Sequence, residues 1–259
     1  MMCTLARFWQ KKKTSKSMGE RLGVNSMEKM TLFQHRDVSI PSHDCKFIKG
    51  RLDLPPDAVG LVIFAHGSGS GRHSPRNQFV ARELQAAGIA TLLIDLLTDE
   101  EAENRRNVFD IDLLSRRLAS AATWASDQEE TADLPVGYFG ASTGAGAALV
   151  AAADNPRSVS VVVSRGGRPD LAENHLPKVK CPTLLLVGEL DHEVILLNRK
   201  AQSRLKAESR LKIVPGATHL FEEPGTLEQA AELAKDWFIR HFGVRAVSKV
   251  QMIDLAVDR

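Results

Sequence analysis

The sequence predicts a single α/β domain, with a mostly parallel central sheet covered by helices on both faces. Three observations predict it. Short continuous apolar runs rich in Val, Ile and Leu recur along the chain, as strands buried on both faces require. Stretches with helical periodicity, about 10–15 residues long, stand between these runs, which calls for right-handed crossovers and parallel strands. No internal repeat or long linker interrupts the alternation.

The elements follow in order from about residue 38. Two weaker strands are expected at 38–40 and 47–52. "GLVIFA" (60–65) is the first continuous apolar run. "SPRNQFVARELQAAG" reads as a helix with Ser74 as its cap, Pro75 in the first turn and Gly88 as its stop. Then come the strand "IATLLIDLL", a helix over 111–126, the strand "VGYFGA", a helix of small residues ending at Asp154, and the strand "SVSVVVS". The strand "PTLLLVG", a helix over 196–207, the strand "SRLKIVPG" and a helix from Thr226 to about residue 242 complete the series. The expected organisation is a basic head (1–30), one α/β domain (31–242) and a short tail (243–259).

Composition narrows the function classes. Of 259 residues, 43% are hydrophobic and 25% charged, as in ordinary globular domains, and no apolar run is long enough to span a bilayer. The net charge of +2 is unevenly placed. Residues 1–30 carry seven Lys and Arg against Glu20 and Glu28, a net +5, leaving residues 31–259 at −3. A mildly acidic body argues against nucleic acid as the main ligand, and neither it nor the apolar pattern points to a membrane. In the head, "KKK" follows only "MMCTLARFW", which does not fit a secretory signal. A solvated tail, a mitochondrial-type presequence, and a start at Met27 or Met30 are the readings left open. Cys3, Cys45 and Cys181 are odd in number and far apart, which suits reduced thiols in a cytoplasm. With no ligand-type spacing among the eight histidines, no metal and no cofactor is expected.

The chemistry gathers around "GYFGASTGAG" (137–146), where a serine sits between glycines at the junction of strand and helix. Such a sharp turn strains the backbone and excludes neighbouring side chains, so Gly140 and Gly144 flank Ser142 while Ala145, Gly146, Ala147 and Ala148 let the helix approach the sheet. This is the nucleophile elbow, G-x-S-x-G. A serine hydroxyl needs a base to take its proton, and the base needs an acid to orient it, in chain order Ser, Asp or Glu, His. "LLLVGELDHEV" places Asp191 just past one late strand, and "LKIVPGATHLF" places His219 just past the last. Asp170 and Glu189 are rivals for the acid. His192 is expected at the surface, and His241 at the end of the last helix, where the dipole favours a histidine. The oxyanion needs two backbone N–H donors. Thr143 supplies one, and the loop "HGSGSGRHS" the other, with Ser68 preferred and Gly67 second. His66 reads as a brace for this loop.

On "HGSGSG", "GASTGAG", "GELDHE" and "GATHLF" the chain resembles an α/β-hydrolase, similar to the dienelactone hydrolases and their serine-esterase relatives, over about residues 38–242. Dienelactone hydrolases proper carry a cysteine at the elbow, and Ser142 departs from that. The resemblance implies a cofactor-independent esterase acting on a small-molecule ester through an acyl-enzyme. Lactones such as dienelactone are an alternative substrate class. Acyl transfer by the same triad, or a binding role for the fold, are alternative functions. The segment between "SVVVS" and "PTLLL" is too short for a large apolar lid, so minimal or no cap is expected, with an open site for short acyl groups. Arg72, Arg76, Arg165 and Arg168 lie on loops reaching the same sheet edge and are candidates to grip a substrate carboxylate, as the resemblance also suggests.

Overall fold

The computed structural model describes the backbone of residues 33–257, with side-chain surroundings given through residue 243. The basic head therefore lies outside the described residues. Two antiparallel strands open the fold, β1 (Gln34–Pro41) and β2 (Phe47–Leu54). There follow β3 (Leu61–Ala65), α1 (Pro75–Ala86), β4 (Ala90–Ile94), two single-turn helices α2 (Asp99–Ala102) and α3 (Arg105–Val108), and α4 (Ile111–Ser126). The second half contains β5 (Val136–Ala141), α5 (Thr143–Asp154), β6 (Val161–Arg165), β7 (Thr183–Gly188), α6 (His192–Arg204), β8 (Ser209–Val214) and α7 (Thr226–Val257). The strands form one eight-stranded sheet in the order β1-β2-β4-β3-β5-β6-β7-β8. Every pair from β4 across to β8 is parallel.

Alternation along the strands builds two cores. In β3, Leu61, Ile63 and Ala65 face one side with α4 and α5, while Val62 and Phe64 face the other with α1 and α7. Because both faces are covered, β3, β4, β5, β6 and β7 are buried at every position, which is why they read as unbroken apolar runs. The chain leaves β3 toward β4 on one side and later returns to β5 on the other. In open parallel sheets such a reversal of strand order opens a crevice beyond the carboxyl ends. Here the crevice is flanked by the loops after β3 and β5.

The sequence-based elements agree in order, with four differences. Ser74 caps α1 as expected, its hydroxyl accepting from Asn77 N–H. The last crossover helix begins at His192 rather than 196, directly after Asp191, and ends at Arg204. The final helix does not stop near residue 242 but continues to Val257, through the segment expected to be a tail. His241 is accordingly mid-helix, packed edge-on against Trp237 at 4.4 Å, and burial pushes its pKa down. Helix-end stabilisation of a charged His241 would act the other way, so that reading is corrected. Two elements absent from the sequence reading, α2 and α3, form a short insertion after β4. A capping box between Thr98 and Glu101 starts α2.

Candidate active site

Ser142 stands between β5 and α5 with φ +51° and ψ −120°, a conformation rarely adopted by non-glycine residues. The glycines around it are sterically required. A Cβ at Gly140 would lie 2.4 Å from Ala145 Cα, and one at Gly144 would lie 2.2 Å from Ala65 O. The turn is pinned on its far side, where Ser142 N–H donates to Arg165 O and Ser142 O accepts from Arg168 N–H at 3.0 Å.

The two late loops bring acid and base together. Glu189 N–H donates to Val214 O and Leu190 N–H to Ala217 O, which locks the loop after β7 onto the loop after β8. In that setting His219 Nδ1 lies 2.6 Å from Asp191 Oδ2. A carboxylate only accepts, so Nδ1 carries the proton facing Asp191, and in the neutral tautomer Nε2 holds the lone pair. Gly166, at φ +52°, makes room for this histidine. A Cβ there would sit 3.1 Å from His219 O and 3.6 Å from its Nδ1. The rival acids are engaged elsewhere. Asp170 accepts two hydrogen bonds from Arg168 at 2.9 and 2.7 Å, and Glu189 accepts from Gly216 N–H at 2.8 Å. His192 is exposed at the start of α6.

In the loop after β3, Gly67 lies against Ser142, where a Cβ would fall 3.0 Å from Ser142 Cβ. His66 braces that loop. Its partly buried ring accepts from Leu96 N–H at Nε2 (2.9 Å), so Nδ1 is protonated and donates to Gly67 O at 2.9 Å. Burial pushes its pKa down, which keeps the ring neutral. With both nitrogens occupied, His66 is no proton carrier. Ser68, the preferred oxyanion donor, instead directs its N–H to Thr143 Oγ1 at 3.1 Å. Beside these residues lies a cavity of about 300 Å³, which Leu97, Ala102, Val108 and Leu114 make partly apolar. The insertion carrying α2 and α3 thus lines this cavity, whose walls include Thr143 but neither Ser142 nor His219, and nothing local in its sequence announced that.

The four arginines separate clearly. Arg72 is paired with Asp95, through both its guanidinium and its backbone N–H. Arg76 pairs with Glu222 at 2.9 Å and Arg168 with Asp170. Arg165 alone of the four has no acidic partner among the described residues. It is 7% exposed, its Nε and Nη1 are buried without hydrogen bonds, and its guanidinium lies 5.6 Å over the Phe221 ring, two residues beyond His219. Burial, and secondarily Arg76, lowers its pKa to about 10, which leaves it charged near neutrality. No group of three or more His, Cys, Asp or Glu among the described residues could hold a metal ion.

With this geometry in place, comparison with known proteins is informative. The family model described as an alpha/beta hydrolase domain matches residues 58–235. A crystal structure of dienelactone hydrolase from Anabaena variabilis is 54% identical. The match covers 82% of this chain and 99% of that one, with a TM-score of 0.79. Est1E from Butyrivibrio proteoclasticus shares the fold at 16% identity, over 80% of this chain and 99% of that one, with a TM-score of 0.69. A Mycobacterium tuberculosis protein named "Putative phosphoribosyl transferase" is 61% identical over 194 residues. That match takes in 75% of this chain and 44% of the relative, so the chain spans less than half of that protein's length.

Proposed function

Because the chain belongs to the α/β hydrolase family and is dienelactone hydrolase-like, we propose that it is a serine hydrolase of small carboxylic esters, acting through an acyl-enzyme on Ser142. The observation that carries this reading is the 2.6 Å contact between His219 Nδ1 and Asp191, on loops after β7 and β8, at the sheet edge where Ser142 is held at φ +51°. In the proposed reaction Ser142 Oγ attacks the carbonyl carbon while His219 Nε2 takes its proton. Asp191 holds the tautomer and stabilises the charge on the ring. The proton then passes to the departing alkoxide, and a water activated by His219 releases the acid.

The cavity of about 300 Å³ reaches Thr143, the residue next to Ser142, and is at the small end of ligand pockets, which favours short acyl or alkyl groups. Arg165, buried and without an acid, favours substrates that bring a carboxylate of their own. Lactones present the same carbonyl chemistry. The phosphoribosyl transferase name does not bear on this reading, since the chain spans only 44% of that relative.

A fluorophosphonate probe should label the protein at Ser142, and a chromogenic ester should give an acylation burst. Ser142→Ala should lower turnover by ~10⁴–10⁶-fold, because members of such a triad act as a unit. Labelling that persists in the alanine variant would sink the assignment. Added alcohol that captures most of the acyl group would make the protein an acyltransferase, and labelling without turnover of any ester would leave a binding role.

A further inference from the structure

We propose that the hydroxyl of Thr143 is itself an oxyanion donor, with the N–H of Ser68 feeding it from behind. The inference rests on the catalytic reading of Ser142 and adds to it a side-chain donor. The expected pair of donors was Thr143 N–H and Ser68 N–H, yet Ser68 N–H already has an acceptor in Thr143 Oγ1 at 3.1 Å. Thr143 Oγ1 accepts that bond and donates none among the described residues. Its proton is therefore uncommitted, in a residue that is 3% exposed and lines the cavity together with Gly67 and Ser68. Thr143 N–H, first in α5, has no acceptor within its helix either. Two donors of one residue thus remain available immediately after the nucleophile.

The chemistry gives them one use. When Ser142 Oγ bonds to the carbonyl carbon, the C=O π pair moves onto oxygen and the serine proton goes to His219 Nε2. The charged oxygen needs donors already in place, because donors that must reorient at that moment stabilise it less. A hydroxyl that accepts an N–H bond is polarised to donate more strongly, so Ser68 N–H acts through Thr143 rather than on the substrate. As the oxygen pair re-forms C=O, the alkoxide leaves and takes the proton from His219.

The test compares Thr143→Val, which keeps the shape and removes the hydroxyl, with Thr143→Ser, which keeps the hydroxyl. On a chromogenic ester the valine variant should lose kcat by ~10²–10³-fold with KM little changed, and the serine variant should keep most of it. A boronic acid, whose adduct on Ser142 is tetrahedral and anionic, should lose affinity for the valine variant in parallel with kcat. Full kcat in Thr143→Val, equal losses in both variants, or a loss in KM alone would overturn the proposal. So would an equal weakening of KM and boronate binding, the mark of a disturbed loop. If the wild type turned over no ester and took neither boronate nor fluorophosphonate, the reading of Ser142 itself would fall. An active wild type matched by the valine variant would remove only the role of Thr143.

Discussion

Ser142 can occupy a left-handed backbone conformation because its neighbours leave room for nothing else, and this reverses a common rule. Replacing a helical glycine by alanine ordinarily stabilises by about 1 kcal/mol. At Gly144 the new Cβ would press to 2.2 Å from Ala65 O, a backbone atom that cannot swing away. Gly144→Ala should therefore lower the melting temperature, by the equivalent of about 1–3 kcal/mol, and abolish ester turnover. Asp191→Asn should cost on the order of 10⁴-fold in kcat. Asp170→Asn, which only releases Arg168, should cost little, and rates of the two variants side by side check the assignment. Arg165→Met should raise KM for mono-4-nitrophenyl glutarate roughly ten- to hundredfold while sparing 4-nitrophenyl valerate. Melting should stay level, since an unpaired buried charge is being removed. Equal losses on both esters would reduce Arg165 to a support for Phe221. Arg72→Ala should harm both substrates alike, because Arg72 ties the glycine loop to Asp95. Ser142, Asp191 and His219 stood out in the sequence because motif, order and strand ends agreed, and the structure brings Asp191 and His219 together. The partners of the arginines were not, because each pairing depends on where a side chain is directed rather than on sequence spacing.

Among the elements, α2 depends most on charge. Arg117 of α4 is fully buried, and its guanidinium donates to Leu96 O at 3.0 Å, to Asp44 Oδ2 at 2.7 Å and to Glu101 Oε1 at 2.8 Å. Lys46 also reaches Glu101. One cation thereby fastens α2 to α4 and to the turn between β1 and β2. Although burial opposes the charged form, the hydrogen bonds from Arg117 and Ser42 hold the Asp44 pKa at about 2. The hydrogen bond from Arg117 holds Glu101 well below the usual carboxylate range. Both folded-state pKa values are depressed, so their stabilisation is present above the unfolded values near 4 and is lost as pH falls through the folded ones. Denaturant titrations should show stability falling from about pH 4 toward pH 2. Arg117→Met should destabilise by about 3–5 kcal/mol at neutral pH, leaving two acids without their partner, and should flatten that acid limb. None of this was legible beforehand: a helix of four residues has no periodicity to display, and Arg117 looks like any other arginine on an amphipathic helix. The start of α6 was misplaced for a related reason, since Asp191 gives its carboxylate to His219 and makes no side-chain capping bond.

For the molecule as a whole, the topology was legible because burial on both faces writes itself into unbroken apolar strands. β1 and β2 carry weaker patterns because they lie at one margin of the sheet and expose alternate or successive residues. The sheet as described begins at Gln34, so a variant starting at Met27 should keep its ester turnover and melting temperature, and a large fall in either would count against a dispensable head. The edge position of β8 has a thermal consequence. Among the described residues only β7 pairs with it, and its residues alternate between intermediate and exposed until the buried Val214. Strands of this kind open at lower free energy than central ones. His219, the proposed base, lies on the loop beyond the end of β8, whereas Ser142, the proposed nucleophile, follows β5 at the centre of the sheet. Mild warming should therefore detach His219 from its partners while β3, β5 and their helices persist. Amides of residues 209–214 should exchange with deuterium before those of 136–141, and ester turnover should fade, reversibly, at temperatures where the far-ultraviolet dichroism is still unchanged.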